Sequence, residues 1–288
     1  MKKEIVKYNN EMNKISFQKF NQADLNILMK IVMEVCEKGT DVIEIPFCEI
    51  KEDIEYIGKK GQFVTVLLKF CEKVSGIITK DTDGELMCIS LFTKMKPIKS
   101  REVFQIKVNK DNMHYFNDLK NAFTSFGFQD FIKLESKYAK NLFRLIMQWK
   151  SKGHCPTEHK DQFFTVEEIK MYLDTPDYDP KRLKQFVLDI AVAEIDEKGV
   201  IKNLVMNVHK AKKRGAPVVG YSFDFDIEKQ TKKLTEEQKT AMEHRKIGDY
   251  QKFEKKSSSG SSSSKNKFEF SEKQNYDIDS LEQALLSN

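Results

Sequence analysis

The chain has 288 residues, which is enough for two domains of ordinary size and a tail. Its net charge of +5 is modest because 44 acidic residues offset 49 basic ones, so total charge alone does not indicate a nucleic-acid partner. The sequence has no apolar run of the roughly 18 residues that cross a bilayer, and no apolar secretion segment follows its start. We therefore expect a soluble cytoplasmic protein with buried, reduced thiols at Cys36, Cys48, Cys71, Cys88 and Cys155.

The first third of the chain predicts three helices followed by short strands. Asn21 is placed to cap a helix that Gly39 ends, and the apolar residues of this helix share one face. That face consists of Leu25, Leu28, Met29, Val32 and Cys36. The elements predicted next are a strand at 42–45, helices at 47–58 and 62–75, and strands at 77–79, 86–92 and 103–108. This order predicts a winged helix with an enlarged sheet in residues 1–126.

The third helix of this first domain is a poor candidate for reading DNA bases, because its only cations are Lys69 and Lys73. The apolar run at 86–92 suits a dimer interface, and an equally good interpretation is that it fills a larger core. Residues 112–126 predict a helix, and Gly127 predicts a short connector to the next domain.

Residues 134–228 predict a second winged helix, whose first helix is expected at 136–151. The apolar face of that helix is formed by Tyr138, Leu142, Leu145, Ile146 and Trp149. Thr165 and Glu168 have the spacing of a capping box, in which each side chain bonds the other residue's backbone N–H. They predict a second helix at 165–174.

The third helix of the second domain is expected at 180–198, with Asp179 as its N-cap and Pro180 at its first position, where the missing N–H costs nothing. Its buried stripe is predicted to be Leu183, Phe186, Val187 and Ile190. The side chains then expected to point outward are Lys181, Arg182, Gln185 and Asp189. A helix that reads the major groove needs such cations and amides, and Arg182 and Gln185 suit contacts to base edges.

Two strand-like runs, 203–209 and 218–225, are joined by a turn that contains three adjacent cations. Adjacent cations repel one another unless they are solvated or matched to an anion such as the phosphate backbone. A basic helix followed by a basic wing indicates duplex DNA, and the alternative is a merely solvated face. The candidate DNA-binding residues are Lys137, Lys181, Arg182, Lys184, Gln185, Lys210, Lys212, Lys213 and Arg214.

Over roughly residues 1–228 the chain resembles the iteron-binding replication initiators of theta-replicating plasmids, the RepB/RepE type. The resemblance is closest in Leu134-Glu-Ser-Lys-Tyr-Ala-Lys-Asn-Leu-Phe-Arg-Leu-Ile-Met, Phe164-Thr-Val-Glu-Glu-Ile, Val187-Leu-Asp-Ile-Ala-Val-Ala-Glu-Ile, Ile5-Val-Lys-Tyr-Asn-Asn and Asn21-Gln-Ala-Asp-Leu. One departure is that the family commonly places its wing arginine after the glycine, whereas Arg214 precedes Gly215 here.

This resemblance implies that the second domain reads direct repeats at a plasmid origin, while the first contacts the DNA backbone and mediates a dimer–monomer equilibrium. It further implies opening of the adjacent duplex, recruitment of the host replication initiator and helicase proteins, and repression of the protein's own gene by the dimer. The alternatives are a winged-helix transcriptional regulator without origin function and, third, a rolling-circle nicking initiator.

The chemistry of a nicking enzyme is not indicated, because the five histidines never flank a single apolar residue as its metal site requires. The segment His154-Cys-Pro-Thr-Glu-His159 lacks the paired spacing of a zinc site, so we expect no metal, no cofactor and no catalysis. Glu194 lies near the apolar stripe of its helix, and we expect an ion pair with Arg144 rather than a DNA contact.

The last segment, 229–288, is expected to contain a charged helix at 235–253 and a serine-rich linker at 257–264 that cannot bury a core. The fold class predicted for the whole chain is α+β, with two tandem winged-helix domains and a disordered C-terminal tail.

Overall fold

The computed structural model describes residues 4–17, 19–38, 42–80, 85–117, 122–157, 159, 161–212 and 215–227, all in one unit that spans residues 1–229. The predicted disorder of 229–288 and the helix end at Gly39 lie outside the described residues. Within the described ranges, no helix is both long and apolar enough to cross a membrane.

The first half of the described chain contains short helices around three small sheets. Its helices are α1 (Gln22–Lys38), α2 (Phe47–Asp53), α3 (Phe63–Val74), α4 (His114–Asn117) and α5 (Phe128–Ile132). Its strands are β1 (Ile5–Asn9), β2 (Ile43–Pro46), β3 (Ile77–Lys80), β4 (Leu86–Ile89), β5 (Phe92–Ile98), β6 (Val103–Val108) and β7 (Phe123–Gly127). The antiparallel sheets have the strand orders β1-β7, β2-β6-β5 and β3-β4.

The second half consists of three helical segments and a sheet with a long hairpin. Its helices are α6 (Lys137–Met147), α7 (Val166–Leu173), α8 (Pro180–Leu183) and α9 (Asp189–Glu197), and a π-helical turn (Lys184–Leu188) joins α8 to α9 in one continuous helix. Its strands are β8 (His154–Cys155), β9 (Phe164–Thr165), β10 (Val205–Lys210) and β11 (Val218–Asp224). Strand β11 pairs with the other three. Both halves therefore have the helix, helix, helix and hairpin order of a winged helix, and the prediction of two tandem winged helices is confirmed.

The helix starts follow the predicted caps. The side chains of Asn21 and Asp24 bond each other's backbone N–H at the start of α1, at 2.9 and 2.8 Å. Thr165 and Glu168 form the complete capping box of α7. Each pair satisfies N–H groups that have no partner within the helix, which fixes where the helix begins.

The predicted helix at 112–126 is wrong in its second half. A helical turn ends at Asn117, and residues 123–127 form β7, which pairs with β1. Thr124 and Phe126 are buried while Phe123 is 40% exposed, an alternation of period two that belongs to a strand. Gly127 is not part of a loose connector, because it is the last residue of β7 and the N-cap of α5.

Three further predictions need correction. The helix expected at 47–58 ends at Asp53, and the strand expected at 86–92 is interrupted between β4 and β5. Only Cys155 among the cysteines is fully buried, whereas Cys48 and Cys88 are exposed. The apolar neighbours of these two thiols in sequence face the other side of a helix or strand, so an apolar run does not guarantee burial of every member.

A buried polar network joins the start of the chain to α6. Arg144 donates to the Tyr8 hydroxyl at 3.2 Å and to the Met12 carbonyl at 3.0 Å. Asn13, 7% exposed, receives a hydrogen bond from Tyr8 and donates to the Thr124 hydroxyl at 2.8 Å. Burial raises the pKa of the Tyr8 phenol, so it stays a neutral donor.

A second polar contact ties the same segment to the end of α7. Asp174 accepts from the Ser16 hydroxyl and from the Phe17 backbone N–H, the latter at 2.8 Å. Burial raises the pKa of the Asp174 carboxyl. Residues 8–17 therefore fix two helices of the second half against the first half.

Candidate nucleic-acid interface

The third helix of the second half, residues 180–197, is anchored at its start. The Asp179 side chain accepts from the backbone N–H groups of Lys181 and Arg182 at 2.9 and 3.0 Å, and these bonds lower the pKa of its carboxyl. The Tyr221 hydroxyl donates to the Pro180 carbonyl at 2.9 Å. Strand β11 thereby holds the first turn of the helix against the hairpin.

The outer face of this helix carries the predicted cation and amide groups. Lys181, Arg182 and Gln185 are exposed. Arg182 Nε lies 3.5 Å from Asp179 in a pair that is well solvated on both sides, so the guanidinium is free to exchange this partner for another. Lys184 is less available, because its ammonium contacts both oxygens of Asp189 at 2.7 and 2.8 Å.

The predicted buried stripe is half wrong. Leu183 and Val187 are buried, but Phe186 is 51% and Ile190 is 53% exposed. The positions completing the core are Leu188, Ala191 and Ile195. The π-helical turn causes this difference, because its wider turn shifts which side chains face the core after residue 184. A signal was available: the helix has more apolar residues than one stripe can hold, so some had to be exposed.

The hairpin β10–β11 presents further cations. Lys210 is exposed at the end of β10, beside a β-bulge at His209 and Lys210, and Lys212 is exposed in the turn. The Ala211 N–H donates to the Pro217 carbonyl at 2.9 Å, which closes the loop. Gly215 has φ +84°, a conformation that glycine adopts without strain. Lys213 and Arg214 lie outside the described residues.

Lys137 is not tied to this surface by any contact of the described residues. Its ammonium lies 3.4 Å from the Asp174 carbonyl and 4.9 Å from the centre of the Tyr138 ring, at the first position of α6. The helix 180–197 and the hairpin are the elements that the structure brings together, through Tyr221.

Glu194 does not pair with Arg144 as predicted. Its carboxylate accepts from the backbone N–H groups of Glu135 and Ser136, at 2.5 and 3.1 Å, at the N-terminal end of α6. A carboxylate stabilises the unpaired amides and positive dipole end of a helix there. Glu194 therefore has a structural role between α9 and α6.

The first domain contributes a basic ribbon that the sequence reasoning missed. On the predicted third helix, Lys73 is engaged by Asp24 at 2.5 Å, and Lys69 is exposed. On the β5–β6 ribbon, by contrast, Lys94 lies directly opposite Lys107, and Lys96 follows on the same face; all three are exposed. Like charges placed directly opposite each other are unfavourable, and an anion relieves them.

The segment 154–159 has a structural contact instead of a metal site. His154 Nδ1 lies 2.6 Å from Asp224 Oδ1, and this interaction lowers the pKa of the carboxyl. In the described part of the chain, no group of three His, Cys, Asp or Glu side chains is arranged to hold a metal ion.

Comparison with known proteins gives the family. Residues 5–147 match the family model described as "Initiator Replication protein, WH1", and residues 165–225 match "Initiator Rep protein, WH2". The "Probable replication protein rep" of Bifidobacterium longum (strain NCC 2705) is 28% identical over 156 residues, 53% of this chain and 52% of that protein. The present chain thus aligns with about half the length of that curated relative.

A solved structure shows the same fold. The crystal structure of the Pi initiator protein in complex with iteron DNA superposes with a TM-score of 0.63 at 17% identity, and the match covers 80% of this chain and 100% of that one. At this identity the likeness establishes the fold alone. The two family models, in the order of the two observed winged helices, show that the chain belongs to the family of initiator replication proteins with WH1 and WH2 domains.

Proposed function

We propose that this protein initiates plasmid replication by binding direct repeats in the double-stranded DNA of the origin. The observation that carries the proposal is the exposed cation and amide face of helix 180–197, held beside a basic hairpin, in a chain of the initiator family. Binding would promote opening of the adjacent duplex and recruit the host replication initiator and helicase proteins.

In this proposal helix 180–197 enters the major groove. Arg182 matches the two acceptors of guanine, and Gln185 matches the donor and acceptor of adenine. Both are exposed within the first two turns, where a recognition helix contacts base edges. Lys181 and Lys184 lie where they would meet phosphates, with Lys184 leaving Asp189 on binding.

The cations outside the helix are suited to the DNA backbone. Lys210 and Lys212, with Lys213 and Arg214 in the same turn, would contact phosphates as a wing. Lys137 is proposed as a further phosphate contact, because its ammonium contacts a carbonyl and an aromatic ring and forms no ion pair within 4 Å among the described residues.

The first domain, 1–126, is proposed to contact the backbone through the β5–β6 ribbon and to mediate a dimer. Strands β3 and β4 pair only with each other among the described residues, so their edges are open to a second chain. Leu68 of α3 and Met87 of β4 are large apolar residues that are 48% and 40% exposed. The second domain is taken as 134–228. The dimer, in equilibrium with the monomer, would repress its own gene.

The proposal includes no catalytic step and places the protein in the cytoplasm. The absence of a catalytic step is proposed because the chain belongs to a family of DNA-binding initiator proteins. A transcriptional regulator with the same folds would bind specific DNA without maintaining a plasmid, and a nicking initiator would leave a cut strand.

Footprinting on the DNA that flanks the gene tests the proposal. We expect protection of tandem repeats of roughly 20 base pairs, two turns of duplex, beside an AT-rich tract, with no strand cleavage. A plasmid carrying this locus and no other origin should be maintained in the host. Specific protection without plasmid maintenance would favour the regulator, and a nick would favour the third alternative.

Titrations at several salt concentrations separate base reading from phosphate contacts. Arg182→Ala or Gln185→Ala should weaken cognate binding by about 1–3 kcal/mol and affect random duplex little. Lys212→Gln should weaken both duplexes alike and reduce the salt slope by about 0.9. Glu197→Gln, an exposed change on the last turn of the helix, serves as the matched control. Equal losses on both duplexes for the helix variants would show that this helix does not read bases.

A further inference from the structure

Two large apolar side chains lie on the outer face of the helix 180–197, although the sequence predicted them to be in the core. Phe186 and Ile190 are one helical turn apart, and each is about half exposed, at 51% and 53%. Phe186 comes four residues after Arg182, and Ile190 comes four residues after Phe186, a spacing that places side chains next to each other on one side of a helix. The exposed apolar pair therefore continues the row that begins with the exposed Arg182 side chain.

A feature of the helix backbone, the π-helical turn, accounts for the exposure of these two side chains. The π-helical turn Lys184–Leu188 turns Leu188 and Ala191 into the core and leaves Phe186 outside. Such wide turns are uncommon inside α-helices and occur often at functional sites. Two apolar side chains that could have completed a regular buried stripe are instead exposed to solvent.

The charges around the pair favour DNA as that ligand over a protein. Lys181 and Arg182 are exposed on the preceding turn. With Lys184 they make three cations against two carboxylates, Asp179, which caps the helix, and Asp189, which contacts Lys184. The face therefore has positive charge around an apolar centre, and the major groove offers one apolar group to such a centre, the C5-methyl of thymine.

We propose that Phe186 and Ile190 determine sequence specificity by contacting thymine methyl groups in the major groove. The inference rests on the proposed function, since it requires that this helix enters the groove. Arg182 and Gln185 would read guanine and adenine by hydrogen bonds, while the apolar pair distinguishes thymine from cytosine by a methyl group that makes no hydrogen bond.

Replacing thymine by deoxyuridine tests the contact, because it removes the methyl and keeps every hydrogen-bonding group. The probe is the duplex that the full-length protein protects, prepared with deoxyuridine at one thymine at a time. Loss of a buried methyl should weaken binding about fourfold at each contacted thymine. Deoxyuridine outside the protected sequence should have no effect.

The variants assign the contact to a residue. In Phe186→Ala, the fourfold penalty should disappear at one thymine, and in Ile190→Ala at another. Phe186→Leu keeps an apolar side chain and should retain the penalty. Phe123→Ala is the matched control, since Phe123 is 40% exposed in β7, outside this helix, and it should keep the wild-type pattern. Circular dichroism confirms that each variant is folded.

Two results would overturn the inference. The wild-type protein could bind thymine and deoxyuridine duplexes equally at every position, or the penalty could persist unchanged in both alanine variants; a protein partner for this face would then be the better account. In either case specific binding by the wild type would leave the proposed function intact. Failure of the wild type to prefer any duplex would reject the proposed function itself.

Discussion

Lys140 gives the sharpest prediction about stability, because it is a lysine with no exposed surface. It lies in α6, and its ammonium donates to the Phe131 carbonyl at 2.6 Å and sits 4.4 Å from the centre of the Phe131 ring. No carboxylate of the described residues forms an ion pair with it; the charge of Glu194 acts only at a distance. Burial lowers the pKa of Lys140 to about 7.

The size of the expected pH dependence follows from the difference between the pKa of Lys140 in the folded chain and in the unfolded chain. Lowering the pKa from 10.5 to about 7 means that the charged lysine costs the folded state about 5 kcal/mol below pH 7. Between pH 7 and pH 10.5 the unfolded chain binds more protons at this position than the folded chain does. The free energy of unfolding must therefore rise with pH across that window, by up to about 1.4 kcal/mol per pH unit from Lys140 alone.

The assay is urea unfolding of the wild type and of Lys140→Met at pH 6, 7, 8 and 9. Methionine fills the site and removes one donor from the Phe131 carbonyl, which keeps its bond from the Leu134 N–H at 3.3 Å, so the lost hydrogen bond costs about 0.5–1.5 kcal/mol. At pH 6 the variant should be the more stable protein, and its advantage should shrink as the pH rises above 7. Lys69→Met removes an exposed ammonium and should follow the wild type. Parallel curves for Lys140→Met and the wild type would refute the reasoning.

Three other outcomes are expected. Thr165→Ala should lower the free energy of unfolding by about 0.5–2 kcal/mol without changing the DNA sequence selected, and a changed preference in a selection from random duplexes would show that α7 reads DNA. Leu188→Ala should lower the free energy of unfolding by about 2–5 kcal/mol and Phe186→Ala by less than about 1; the reverse order would mean that Phe186 and not Leu188 packs in the core. Lys107→Gln should remove its repulsion with Lys94 and stabilise the fold by a few tenths of a kcal/mol, while the salt slope of DNA binding falls by about 0.9; an unchanged slope would exclude the β5–β6 ribbon as a phosphate contact.

The helix starts could be predicted from sequence because their causes are local. The Asn21 and Asp24 pair, the capping box of Thr165 and Glu168, and the Asp179 cap each satisfy backbone groups within three residues. Such contacts form whatever the rest of the chain does. The order of these helices and the basic hairpin after them therefore sufficed to predict two winged helices, whereas the family was inferred from the resemblance of segments such as the one that begins at Leu134 to known initiators.

The candidate site was only partly predictable. The outward position of Arg182 and Gln185 follows from the spacing of Leu183 and Val187, which holds under either helix type. The exposure of Phe186 does not, because a π-helical turn depends on how the helix packs against α6 and on the hydrogen bond from Tyr221 of β11 to its first turn. The role of Glu194 likewise depends on backbone amides 58 residues earlier in the chain.

What the sequence determined by itself is the set of local signals: caps, amphipathic faces and the cationic turn. The tertiary structure alone decided which apolar residues of the third helix face outward, that residues 123–127 form a strand, and that Lys140 is buried. The physical reason is that these features depend on contacts between residues that lie far apart in the sequence. The strand exists because Tyr8 and Thr124 are paired partners, and Lys140 is buried because α6 packs against both halves. The periodicity of a single segment does not show which distant residues that segment will contact.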